Sequence, residues 1–247
     1  MIQKFPLYFT PGGEDRCIHL YLPDDYYETD ERYPVIYMFD GHNLFYDSDA
    51  TYGKSWGMRE LLDRWPKKFI VAGLECSHHG HERLSEFFPY EFTEREIGHI
   101  VGRGVETMEW MVNVMKPYID THYRTWPHRE ATAIGGSSMG GIMALFAVLR
   151  HNDVFSKSAA VSPEFFATLP RVLKELRTNR IDPDTRLFMS WGEHEDRRGW
   201  MAKRCTKMQD ALRPLGVTTL LYPQQGGYHC EADWEKQVPD WMHFLWD

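Results

Sequence analysis

Short apolar runs alternate with longer amphipathic ones along the chain. Residues 3–9 and 17–22 read as an opening hairpin across Pro11-Gly12-Gly13. Residues 33–39 form an apolar run that ends at Asp40-Gly41, as a buried strand would. A helix follows near 56–66, and 69–74 is the next strand. A long helical stretch covers about 99–122, with Pro117 marking a kink or a break. Residues 130–136 read as a strand and 141–150 as a buried helix. Strands at 157–162 and 186–191, a helix at 199–212, a strand at 217–222 and a closing helix at 231–246 complete the pattern. Short apolar strands separated by helices predict an α/β fold, with a mostly parallel sheet covered on both faces. No repeat, low-complexity segment or linker divides the chain, so one domain spanning 1–247 is expected.

The junction between the strand at 130–136 and its helix carries Gly136-Ser137-Ser138-Met139-Gly140, a G-x-S-x-G sequence. A strand-turn-helix elbow of this kind strains its central residue and raises that side chain above the sheet edge. Ser138 is central. Ser137 lacks a glycine two residues later and does not fit the frame. The pattern alone is common, and its meaning depends on partners.

A serine hydroxyl needs a base to take its proton, and the base needs an acid to orient it. In an α/β sheet those partners belong beyond the carboxyl ends of other strands, in the order Ser, acid, His. The strand at 186–191 runs into Gly192-Glu193-His194-Glu195-Asp196. Glu195 is the first candidate acid, Asp196 the alternative and Glu193 the third; an acidic surface loop would look similar. The last strand runs into Gly226-Gly227-Tyr228-His229, which makes His229 the candidate base. Oxyanion donors are expected at the backbone N–H of Met139 and, after the strand ending at residue 39, of His42.

Composition narrows the reading. The chain has 247 residues, 43% hydrophobic and 26% charged, ordinary values for a soluble globular protein. A net charge of −8 disfavours nucleic acid and anionic membranes as partners. Aromatic content is 15%, including nine Trp, enough to furnish a pocket as well as a core. No apolar run approaches the ~18 residues of a membrane span, and the N-terminus has no signal-like stretch. Cys17, Cys76, Cys205 and Cys230 are widely spaced and suggest no disulfide framework. A cytoplasmic location is expected, although removal of a leader would leave the same reading. Cys76-Ser77-His78-His79-Gly80-His81-Glu82 is rich in metal-ligand side chains, but it lacks a known ligand spacing and no second ligand cluster is evident in the sequence. It is read as a pocket rim, and no metal or cofactor is expected.

Further segments carry a family resemblance: residues 37–45, Ser55-Trp56-Gly57, residues 83–89, Lys116-Pro117-Tyr118-Ile119-Asp120, Tyr123-Arg124-Thr125, Ser162-Pro163 and Gly227-Tyr228-His229. With the elbow, they make the chain resemble an esterase family of α/β-hydrolases. That family includes enterochelin-esterase-like proteins, carbohydrate esterase family 1, esterase D and the antigen 85 proteins. The resemblance covers about residues 5 to 246. It implies Ser138 as nucleophile, His229 as base and Glu195 as acid, with oxyanion donors at His42 and Met139. Arg83 and Glu86, within one matching segment, are read as a structural ion pair near the pocket.

The expected activity is hydrolysis of a small acyl or aromatic acyl ester, sugar-linked, through an acyl-enzyme and without a cofactor. A siderophore lactone is the alternative substrate. The alternative of another class is a non-catalytic binding protein.

Overall fold

Eight strands form one sheet in the order β1-β2-β4-β3-β7-β8-β9-β10. The computed structural model describes residues 1–165 and 168–247. β1 (Ile2–Phe9) and β2 (Glu14–Tyr21) make the expected hairpin at one edge, and β2 runs antiparallel to β4 (Ile70–Leu74). All the remaining neighbours are parallel: β3 (Val35–Phe39), β7 (Thr132–Ser137), β8 (Lys157–Val161), β9 (Arg186–Gly192) and β10 (Thr218–Gln224). β5 (Phe92–Glu94) and β6 (Gly98–Ile100) form a separate small hairpin.

The central strands β3, β4, β7, β8 and β9 are buried on both faces, which explains why they are nearly apolar throughout, whereas the edge strand β1 alternates. Val35, Tyr37 and Phe39 of β3 point into one cluster; Ile36 and Met38 point into the other. The first cluster is completed by α3 (Gly104–Trp110), α4 (Lys116–His122), α5 (Met139–Arg150), α6 (Leu169–Thr178) and α7 (Trp200–Leu212). The second is completed by α1 (Met58–Leu62) and α8 (Glu231–Trp246). A further one-turn helix, α2 (Glu82–Glu86), lies beyond the end of β4.

Five points of the sequence reading are refined. The helix foreseen at 56–66 is only α1. The stretch foreseen from 99 begins with β6, and helix starts at Gly104, because residues 98–100 are taken up by pairing with 92–94. The interruption foreseen at Pro117 takes the form of a π turn, Met111–Met115, which separates α3 from α4 just ahead of the proline. Proline lacks an N–H, so the Asn113 carbonyl loses its usual partner, and a wider turn lies just there. Finally, the Cys76–Glu82 segment, read as loop, leads into α2; and α6 was not foreseen, although Pro170 in its first turn is a helix-start signal.

Phe146 of α5 is fully buried between sheet and helices. Phe146→Ala is expected to destabilise the protein by about 3–5 kcal/mol, measured as the shift in urea unfolding.

Candidate active site

Ser138 stands between β7 and α5 with φ 56 and ψ −117, a conformation that side-chain-bearing residues rarely adopt. Three hydrogen bonds hold it there. Its N–H donates to the Val161 carbonyl at 3.0 Å, and its own carbonyl accepts from Ile142 at 3.1 Å and Glu164 at 3.1 Å. The turn is too tight for side chains on either side. A Cβ on Gly136 would lie 2.8 Å from the Gly140 backbone, and one on Gly140 would lie 2.9 Å from Phe39 Cβ. The strain is thus imposed by strand and helix together, and it turns the hydroxyl outward at the end of β7.

β9 ends beside β10, and their loops cross. A Cβ on Gly192 would meet the Gly227 carbonyl oxygen at 2.4 Å, so backbone passes directly over backbone. This crossing sets Glu195 against His229. His229 Nδ1 lies 2.5 Å from Glu195 Oε2. Glu195 Oε1 accepts from Ser162 Oγ at 2.6 Å and from the Gly192 N–H. Ser162 Oγ in turn accepts from Trp234 Nε1 at 3.1 Å, and the Trp234 ring stands edge-on to the His229 ring at 4.9 Å. Burial alone would raise the Glu195 pKa, but the hydrogen bonds from His229, Ser162 and Gly192 outweigh it and hold the carboxyl below its ordinary range. Asp196 is engaged elsewhere: its Oδ1 accepts the Met201 N–H at 2.7 Å, at the start of α7. Glu193 accepts from the Gly226 N–H at 2.9 Å.

The loop after β3 forms the opposite wall. Asp40 is left-handed, at φ 56, and buried. Arg83 grips it through two parallel bonds, Nε to Oδ1 and Nη2 to Oδ2, both 2.7 Å. Burial would raise the Asp40 pKa, yet the Arg83 guanidinium overrides it and keeps the carboxyl ionised. A short turn over Gly41–Asn43 follows, closed by the Asn43 N–H on the Asp40 carbonyl at 2.9 Å. Among the described residues, no hydrogen bond to another segment takes up the backbone N–H of His42 or of Met139. Ser138, His229 and His42 line one cavity of about 420 Å³, together with Asp40, Arg83 and Trp234.

A family model described as "Putative esterase" matches residues 11–241. The chain belongs to that family. Membership makes it a hydrolase of small-molecule esters. The uncharacterized protein YbbA of Bacillus subtilis is 23% identical over 248 residues, covering 94% of this chain and 93% of that one. Among solved structures, the BES protein of Bacillus cereus superposes with a TM-score of 0.79 at 18% identity, over 99% of this chain and 95% of its own. An IroE-like serine hydrolase of Shewanella oneidensis gives 0.76 at 18% identity, over 98% and 79%. These likenesses establish the α/β-hydrolase fold.

Sequence reasoning assigned no role to two residues that join the Glu195 network, Ser162 and Trp234. Ser162 stands at the carboxyl end of β8, where the strand-end rule would have flagged it. Trp234 carries no local signal, because only the packing of α8 brings its indole to Ser162. Arg83 and Glu86 are not paired with each other. They leave the single turn of α2 in different directions, Arg83 to Asp40 and Glu86 to Arg16 in β2 and to the Ser77 N–H. No described helix is long and apolar enough to cross a membrane.

Two outcomes are expected from these contacts. Arg83→Ala leaves a buried Asp40 carboxylate without its cation and is expected to cost about 3 kcal/mol, read by urea unfolding. Glu195 has its pKa lowered in the folded state, so its stabilising effect is present above the ordinary carboxylate range and is lost as pH falls through the lowered value. The stability gap between wild type and Glu195→Gln is therefore expected to be widest near pH 6–7 and to narrow below about pH 4, with urea unfolding at each pH as the check.

Proposed function

We propose that this protein is a serine carboxylic-ester hydrolase working through an acyl-enzyme. The observation that carries the reading is the half-exposed Ser138 at a strained elbow, lining the same cavity as an imidazole bonded to a half-buried carboxylate. His229 Nε2 takes the proton as Ser138 Oγ attacks the ester carbonyl. The His42 and Met139 N–H groups stabilise the tetrahedral oxyanion. Imidazolium then protonates the departing alkoxide and leaves the acyl group on Ser138. Water, deprotonated by His229, attacks the acyl-enzyme and releases the acid. Glu195 fixes the Nδ1–H tautomer and balances the positive ring, whereas Asp196 caps α7.

The substrate we propose is an ester of a small or aromatic acyl group, on a sugar or similar alcohol. The cavity around Ser138 suits a small acyl group in size. Beyond His229 a second hollow contains Trp200, Tyr228 and Arg204, with the Tyr228 ring stacked on His194 at 4.3 Å and Arg204 over the Trp200 ring at 4.9 Å. Such surfaces favour flat rings and sugar faces. Charge argues against a highly anionic siderophore lactone. The cation lining the first cavity, Arg83, is neutralised by Asp40, and Glu231 adds a buried carboxyl beside it. A purely binding role is disfavoured by the serine, imidazole and carboxylate standing together.

The test is hydrolysis of p-nitrophenyl acetate with chelator present. Ser138→Ala is expected to lower kcat/KM by about 10⁴-fold or more, and undiminished activity would overturn the mechanism. Glu195→Gln should lower kcat by about 10²–10⁴-fold, while Asp196→Asn should leave it within a few-fold. Feruloyl, acetyl-sugar and siderophore esters compared side by side rank the substrate classes, with the feruloyl and acetyl-sugar esters expected to turn over fastest.

A further inference from the structure

Behind the His42 wall, three metal-ligand side chains converge from two strand ends. His42 comes from the turn after β3; Cys76 and His78 come from the segment after β4. One donor atom from each of the three lies within 4.8 Å of the other two. Within the segment itself the ligand spacing fits no known pattern, because the remaining ligand is supplied by a neighbouring strand.

Each imidazole already has one nitrogen satisfied by an oxygen. His42 Nε2 lies 2.9 Å from Thr51 Oγ1, and His78 Nε2 lies 2.8 Å from Glu75 Oε1. The other nitrogen of His42, Nδ1, is buried without a hydrogen-bond partner, in a residue only 4% exposed. Leaving such an atom unpaired is costly unless something occupies its lone pair. The two rings meet edge to face at 4.8 Å between centroids. Metal-bound histidines regularly donate their second nitrogen to a carboxylate or hydroxyl, and Glu75 and Thr51 are in that position. Glu75 is itself held from both sides, with His19 Nε2 2.7 Å from its Oε2 and His78 Nε2 2.8 Å from its Oε1.

We propose that His42 Nδ1, Cys76 Sγ and His78 Nδ1 form a binding site for a zinc ion, with a fourth position open to water. Two nitrogens and one sulfur are the donor set that a borderline-soft, tetrahedral cation prefers. Ordinary zinc bond lengths put ligand atoms about 3.3–3.7 Å apart, so the trio must contract by roughly 1 Å. His42 and Cys76 are buried and fixed. His78, whose side chain is 54% exposed, has the freedom to close on them. Binding removes the thiol proton, which leaves to solvent as the zinc–sulfur bond forms. The site adjoins the ester-cleaving one at His42, whose ring would hold the metal while its backbone N–H faces the oxyanion; the ester-cleaving reading uses no metal and is tested with chelator present.

The test starts from reduced, chelator-stripped full-length protein. Zinc affinity is read by competition with a chromophoric chelator, and cobalt(II) is used as a spectroscopic substitute. One zinc per chain is expected, with affinity reduced at least tenfold in His78→Ala and in Cys76→Ser. His79→Ala, an exposed histidine of the same segment, should bind as wild type does. Cobalt should give a thiolate charge-transfer band that is absent in Cys76→Ser, with thermal unfolding used to confirm that each variant is folded. His78→Ala, altered at an exposed side chain, provides the answer if Cys76→Ser does not fold. Absence of stoichiometric binding, equal affinity in wild type and His78→Ala, or an equal loss in His79→Ala would overturn the proposal.

Discussion

One half-buried carboxylate ties the site together. Glu195 accepts three hydrogen bonds, from the His229 ring, the Ser162 hydroxyl and the Gly192 N–H, and Trp234 adds a fourth contact through Ser162. Those donors come from the ends of β8, β9 and β10 and from α8. Their convergence requires that the strands run in the same direction and stop at the same level, as a parallel sheet allows and an alternating one does not. It also requires the Gly192 and Gly227 backbones to touch, since any side chain there would push the acid away from the ring.

The far side of the cavity is held by different physics. There the decisive contact is an ion pair. Asp40 occupies a left-handed conformation, and the two parallel bonds from Arg83 hold its side chain in place while the chain turns toward His42. One wall therefore depends on hydrogen bonds to a carboxylate and the other on neutralising one. Each carboxylate has its own compensation, hydrogen bonds from a ring, a hydroxyl and a backbone N–H for Glu195 and a guanidinium for Asp40.

Much of this was legible in the sequence because strand ends are easy to read. Apolar runs located the strands to within a few residues, and in a parallel sheet the residues just past each run are the ones that gather at a common edge. Ser138, Glu195, His229 and His42 all lie within a few residues of such an end. Contacts made by helices were harder. Trp234 reaches Ser162 only through the packing of α8, and the partners of Arg83 and Glu86 depend on how one turn of α2 sits between two strands. The π turn at Met111–Met115 was also hidden, because a proline in a helical pattern signals disturbance without saying which form it takes. Similarly, Cys76 and His78 gain His42 as a neighbour only once β3 and β4 lie side by side.

The bond from Trp234 to Ser162 links the last helix to the middle of the sheet. A ribosome makes α8 after every other segment that it touches. The elbow, the loop after β9 and the turn after β3 thus exist as chain before the indole that bonds Ser162, and the second face of the sheet has only α1 over it until Trp241 and Leu245 arrive. A nascent chain can therefore carry Ser138, Glu195 and His229 before the contacts of α8 with Ser162 and the His229 ring have formed, and a copy truncated just ahead of α8 keeps all three side chains but lacks the Trp234 bond and part of the core behind them.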